Sequence, residues 1–232
     1  MTAGPALVGR VREALEAADS VTPTGGEGVA RLVRATREAI AELVRARRET
    51  DESAPGHVIE LRSLLHRILD RAVERRLRLA VLETPFAREW TDLLIEAVQV
   101  ADYTVGSLFL GRARHCGDRT LFLLSPRHRE GRISWARARE RVMAIARALV
   151  ALRRTGEIGP EQPVALLGAN SAEIALFDLA CLVSGTRNVP VPANSPPPQV
   201  RFILEHARAG ALFLGDDVSA RVALDGIGAG GP

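Results

Sequence analysis

Apolar positions in the first hundred residues recur at helical spacing. Val29, Leu32, Val33, Thr36, Ile40, Leu43 and Val44 fall on one face of a helix whose other face carries Arg and Glu. The charges pair only in part at i,i+4, with Arg34 near Glu38 but Glu38 near Glu42. The stretch Glu52-Ser53-Ala54-Pro55-Gly56 breaks this pattern. A second helix is predicted through Leu61, Leu64, Leu65, Ile68, Leu69, Ala72 and Val73. After Pro85, a third follows through Trp90, Leu93, Leu94, Ala97 and Val98. No fixed-period repeat is present. These helices read either as a bundle that packs on itself or as a docking and oligomerisation module.

From about residue 101 the pattern changes. Short β-like runs appear at Thr120–Leu124, Val164–Leu167, Asn188–Val191 and Ala211–Leu214. Helical stretches lie between them. Ser134 is placed to cap a helix through Val142, Ile145, Leu149 and Val150, which Gly156 ends. Asn170 with Glu173 resembles a capping box, opening a helix so apolar through Leu176, Phe177, Leu179 and Leu182 that it should be buried. Gly185 stops it. Ser195 before Pro196 opens a further helix that Gly210 closes. The order strand, helix, strand, helix, strand predicts right-handed crossovers and a parallel sheet. The fold class is therefore α/β: a helical N-terminal region followed by an incomplete parallel βαβ subdomain.

Composition narrows the function classes. The chain has 232 residues, 47% hydrophobic and 25% charged, a balance that suits packed domains. All 31 basic residues are Arg, none is Lys, and the formal net charge is +3. Acids interleave with the arginines, so no nucleic-acid footprint stands out. Two distant cysteines, Cys116 and Cys181, make no metal-type spacing and predict a reducing compartment, hence a cytoplasmic protein. No signal peptide is indicated, and the most apolar run, Ile174 to Val183, is broken by Asp178 and too short to span a membrane.

Candidate chemistry is sparse. The run Gly226-Ile227-Gly228-Ala229-Gly230-Gly231 matches G-x-G-x-x-G, yet only Pro232 follows where a phosphate-binding helix would have to start. It reads as part of a flexible Gly-rich tail over 218–232. The turn Gly168-Ala169-Asn170-Ser171 follows a strand and opens a helix, so its amides can bind an anion or simply be capped by Asn170. His115, Cys116 and Asp118 lack further ligands and read as an ordinary loop, and Cys181 as a small buried hydrophobe. His57, His66, His128 and His206 have no partner spacing. No catalytic, cofactor-binding or metal-ligating residue is assigned.

Four segments carry a family resemblance. They are Ile133-Ser134-Trp135 with Ala146-Arg147-Ala148-Leu149; Pro163 through Glu173; Ala180 through Thr186 with Val189-Pro190-Val191; and Arg201 through His206 with Ala211 through Asp216. Together with Ser107-Leu108-Phe109 and Asp118-Arg119-Thr120, they resemble the adenylate-forming (AMP-binding) enzymes. The last segment is most similar to long-chain fatty acid–CoA ligases. The resemblance spans about residues 105–217 and departs at Pro160-Glu161, where the family commonly has Gly-Asp.

The resemblance implies a domain division: a helical extension over 1–100, the N-terminal subdomain of an adenylation domain over 101–217, and the tail. It implies ATP-dependent adenylation of a fatty acid or other carboxylate and thioester formation with coenzyme A, aided by magnesium. The family's phosphate loop ends in Lys, and a second Lys is catalytic. A chain without Lys matches neither, so it is expected to be inactive alone. The cofactors ATP, magnesium and coenzyme A belong to a complete family member. On this reading the chain is a fragment, or a degenerate or frameshifted product, of such a ligase. An incomplete sheet exposes an edge, which predicts marginal stability and aggregation. The alternative is a stand-alone non-catalytic scaffold that binds partners, or itself, through its helical region.

Overall fold

The computed structural model describes residues 3–19, 26–48, 56–125 and 131–227. The chain divides into two compact units, Met1–Gly111 and Arg112–Pro232. The division falls eleven positions beyond the boundary expected at residue 100, inside a helix the pattern did not reveal.

The first unit is helical: α1 (Ala3–Asp19), α2 (Gly26–Arg48), α3 (Gly56–Ala72), α4 (Arg75–Leu82), α5 (Ala87–Val100) and the start of α6 (Val105–Cys116). The predicted apolar faces of α2, α3 and α5 meet in one core with α1 and α4, built on Leu15, Leu32, Leu61, Leu65, Ile68 and Trp90. Thr36 lies on the apolar stripe and is fully buried because its hydroxyl donates to the Leu32 carbonyl 2.7 Å away. Three helices escaped the sequence pattern. In α1 the glycines and Pro5 dilute helix propensity, yet Pro5 sits in the first turn, where its missing N–H leaves no bond unmade. The Arg-rich α4 is only eight residues long. In α6 the glycines again mask the period, and Gly111 is needed: a Cβ there would lie 1.9 Å from Asp70 Oδ1. That carboxylate accepts a 2.6 Å bond from the Tyr103 hydroxyl. The break at 52–55 lies outside the described residues.

The second unit opens with an antiparallel pair, β1 (Thr120–Leu123) and β2 (Arg132–Ser134). The first expected β run therefore belongs to a separate two-stranded sheet, with a short partner strand that was not foreseen. Next come α7 (Trp135–Arg154), β3 (Val164–Leu167), α8 (Ala172–Ser184), β4 (Asn188–Val191), α9 (Pro197–Ala207), β5 (Ala211–Leu214) and α10 (Asp217–Ile227). The three later strands occupy the residues the sequence predicts and form a parallel sheet in the order β4-β3-β5. The α/β class holds. Residues 218–227, expected in a flexible tail, instead form most of α10, while 228–232 lie outside the described residues.

All four residues of β3 are buried, as a continuous apolar run in a central parallel strand requires. Ala165 and Leu167 point into a core with Val200 of α9 and Ala223 of α10. On the opposite face, Phe177 of α8 stacks on Phe213 of β5 with centroids 4.0 Å apart. α7 packs on α8, and α9 on α10, so helices cover both faces of the sheet. α8 is less enclosed than its composition implies: Leu182 is 40% exposed.

Capping follows the expected logic with shifted residues. Ser134 Oγ accepts from the Arg137 amide at 3.2 Å, as foreseen. Ser171, not Asn170, caps α8, accepting from the Ile174 amide at 3.2 Å. Gly185 ends α8 in the left-handed conformation. α9 starts one residue later than expected, with Pro196 at its N-cap, and ends at a left-handed Arg208 rather than at Gly210. Ser195 Oγ is buried without a hydrogen-bond partner among the described residues. The Pro160 departure is also local. Pro160 occupies the second position of a turn closed by the Gln162 amide on the Gly159 carbonyl, where its fixed φ fits. Arg153 binds the turn through the carbonyls of Gly159, Pro160 and Gln162 at 2.6–2.9 Å.

Leu65→Ala, at a position with no solvent exposure, is expected to destabilise the first unit by about 2–5 kcal/mol. Urea unfolding followed by Trp90 fluorescence in a Trp135→Phe background measures it.

Candidate functional site

Parallel sheets place ligands beyond the carboxyl ends of neighbouring strands whose exits run to opposite faces. Here β3 leads into α8 on one face, and β5 leads into α10 on the other. The crevice between them is bounded by Gly168 to Ser171 and by Gly215 and Asp216. Two glycines set its floor. The Gly215 amide donates to the Leu167 carbonyl at 2.8 Å, which draws the strand ends together. A Cβ on Gly168 would lie 2.8 Å from Ile174 Cδ1 and 3.0 Å from Gly215 Cα. On Gly215 it would lie 2.7 Å from Ile174 Cδ1 and 3.3 Å from Gly168 Cα.

An anion at this turn, the alternative to plain helix capping, would find its place already taken by a carboxylate of the protein. Asp216 Oδ2 faces the Ala169 amide at 3.4 Å and accepts from Ser219 Oγ at 3.0 Å. Its Oδ1 accepts from the Ser219 amide at 2.7 Å, so Asp216 also caps α10. A phosphate placed against Ala169 would meet this carboxylate, and like charges repel. Asn170 stays exposed at the rim. Asp216 was not singled out as a site residue, although Asp is a preferred N-cap residue and this one follows a strand closely.

The other candidates are dispersed. His115 and Cys116 form the last turn of α6 rather than a loop, Cys116 is buried, and Asp118 lies in the turn that follows. His57 Nε2 lies 3.2 Å from Glu42 Oε1. His66 Nε2 lies 2.7 Å from the Ala101 carbonyl oxygen and meets the Tyr103 ring edge-on. His206 stacks on Phe202, and His128 lies outside the described residues, as does the end of the glycine run after Ile227. Among the described residues no group of three or more His, Cys, Asp or Glu side chains is placed to hold a metal ion.

Both cysteines are free and buried. Burial raises the Cys181 thiol from 9.0 to about 11, with Asp178 adding to the shift and Arg153 opposing it. A raised thiol pKa in the folded state keeps the neutral form. Its stabilising share is complete below pH 9.0 and is lost as pH climbs toward about 11.

Two outcomes follow from this geometry. Gly168→Ala is expected to cost about 1–3 kcal/mol because its Cβ meets backbone. Gly215→Ala should cost less and be partly rescued by Ile174→Val; equal costs without rescue would contradict the packing described, and chemical denaturation reads both. Stability of the second unit should fall between pH 9 and 11, and the fall should flatten in Cys181→Ala when denaturation midpoints are compared across that range.

Comparison with known proteins matches this unit. A sequence model of the family described as AMP-binding enzyme matches residues 110–228. Tyrocidine synthase 2 of Brevibacillus parabrevis is 34% identical over 109 residues, which are 47% of this chain and 3% of that protein. The chain thus spans a small part of the relative's length, and the aligned part is comparable in extent to the α/β unit. With the family match covering half of the sequence and the parallel sheet folded within it, the chain belongs to the AMP-binding, adenylate-forming enzymes.

Proposed function

We propose that the α/β unit is the opening subdomain of an adenylation domain, preceded by a helical extension over residues 1–100. The enzyme it serves joins a carboxylate to the α-phosphate of ATP and releases pyrophosphate, with magnesium neutralising the triphosphate. The family match over 110–228 carries this reading. The residues present build the frame: β3 pairs on both edges, the paired glycines close the strand ends, and Arg153 holds the approach to β3. The 232 residues contain no Lys, whereas the resemblance calls for one Lys at the phosphates and another in catalysis. The finer reading takes a fatty acid as the carboxylate and coenzyme A as the thiol. It is supported by the segments Arg201–His206 and Ala211–Asp216. The relative is named for a different product, tyrocidine, so both fatty acids and amino acids belong in the assay. Two buried free thiols support a cytoplasmic setting, and no single described helix is long and apolar enough to cross a membrane.

ATP–pyrophosphate exchange by this chain, with fatty acids and amino acids offered in turn, is expected to stay at background. Exchange with either class would overturn the assignment of a frame without catalytic groups. Residues 110–227 grafted over the matching segment of an active adenylation domain should preserve exchange and leave the host's carboxylate preference unchanged. A graft that melts cooperatively yet exchanges nothing would count against the subdomain reading.

A second reading, a partner-binding protein with a helical interaction module, is favoured by exposed Ile59, Leu82 and Ile95 at 62%, 62% and 59% on the first unit. Catalysis in the graft and a monomeric mass for the whole chain would together disfavour it.

A further inference from the structure

Outside the crevice, one surface of the second unit combines an apolar floor with unbalanced charge. Arg139, Met143, Arg147, Val150 and Arg154 follow one another at i, i+4, i+8, i+11 and i+15 along α7, so they share a face. The C-terminal half of that face, with Val183 and Ser184 of α8, borders an open groove of about 400 Å³. Val150 and Leu182 are 42% and 40% exposed. Three of the six arginines of α7, among them Arg141, are engaged within the protein. Arg137 pairs with Glu140 at 2.9 Å, and Arg153 is spent on the turn before β3. Arg139, Arg147 and Arg154 have no ion-pair partner among the described residues, and no carboxylate lines the groove. The three guanidinium groups span about 22 Å of helix, or four turns, at 1.5 Å per residue.

We propose that this groove docks an amphipathic helix whose apolar side chains enter between α7 and α8 and whose Asp or Glu residues meet Arg139, Arg147 and Arg154. Helix-in-groove recognition uses anchors at i, i+3, i+4 and i+7, which matches a floor set by Met143, Ala146 and Val150 on one helix and Val183 on the other. Charge complementarity selects the partner. An apolar helix flanked by Lys would face three unpaired guanidinium groups, while an acidic one satisfies them and is steered in. Apolar side chains from both α7 and α8 favour an inserted ridge over a lipid surface, whose headgroups would contact the arginines but leave the groove unfilled. A nucleic-acid backbone would desolvate the same floor with nothing apolar to offer.

The test uses the full chain and a fluorescein-labelled synthetic helix with Leu at i, i+3, i+4 and i+7 and Glu on both flanks. Anisotropy should show saturable binding that weakens with added salt. The double variant Arg147→Glu, Arg154→Glu should weaken it by at least about tenfold, while Arg137→Glu, at an already paired position, changes it little. Both variants alter exposed side chains, and unchanged melting temperatures would show that loss of binding is not loss of fold. The proposal fails if the helix does not bind, or if it binds both variants as the parent does. It also fails if anionic vesicles of phosphatidylserine and phosphatidylcholine bind through these arginines while the helix does not. Sedimentation showing that the groove instead holds a second copy of the chain, released by the double variant, would equally overturn it.

Discussion

Strand β3 is the constraint on which the α/β unit depends. It is bonded along both edges and covered on both faces, so its four residues must all be apolar, and they are. The crossover to β4 and the return to β5 then have to pass on opposite faces if both are right-handed. That requirement sends α8 to one side and α9 with α10 to the other, and it leaves the exits of β3 and β5 diverging. The close pair Gly168 and Gly215 lies at this divergence. Side chains there would force the strand ends apart while the Gly215 amide holds them together. The turn before β3 is held from outside by one guanidinium group that serves three carbonyls. Few interactions thus control where β3 begins and ends.

Much of this frame was legible because parallel strands declare themselves simply. Val164–Leu167 and Ala211–Leu214 are short apolar runs bounded by turn residues, and such runs have few alternatives between two helices. Helix ends were legible in kind but not in position. Asn170 and Ser171 both make good caps, and only the backbone path decides that Ser171 reaches the Ile174 amide. Arg208 took the left-handed position because Gly210 has to reach β3, where its amide donates to the Pro163 carbonyl at 3.0 Å. Helices α1 and α6 were obscured by glycines whose value appears only in tertiary contact. Gly111, for example, makes room for the Asp70 carboxylate. Propensity counts such a glycine against a helix, whereas packing requires it.

The crevice was harder to judge from the sequence than the frame. A turn of glycine and small polar residues after a strand reads first as a helix start and only secondly as a phosphate cradle. What separates the two is a carboxylate 47 positions away in the chain. Asp216 belongs to β5's exit, so its meeting with Ala169 depends on the strand order, a property that no local window contains. The cysteines and histidines illustrate the converse. Among the described residues their scatter in sequence persists in space, because each of these is placed by a helix.

These observations explain why the family's signature in this unit lies in its frame. The recognisable segments are those that specify β3, its crossovers and its caps, and a parallel sheet tolerates few substitutes at such positions. Adenylation needs other things: cationic groups that neutralise a triphosphate while a carboxylate oxygen displaces pyrophosphate at the α-phosphate. Arginine fixes its charge and shape, while an ammonium group on a flexible stem can follow a migrating phosphoryl oxygen. A chain whose 31 basic residues are all Arg is suited to holding carbonyls and carboxylates in fixed geometry, as Arg153 does. The negative charge at the switch point points the same way. With Asp216 facing the Ala169 amide that a phosphate would seek, the strand exits serve to hold the sheet together.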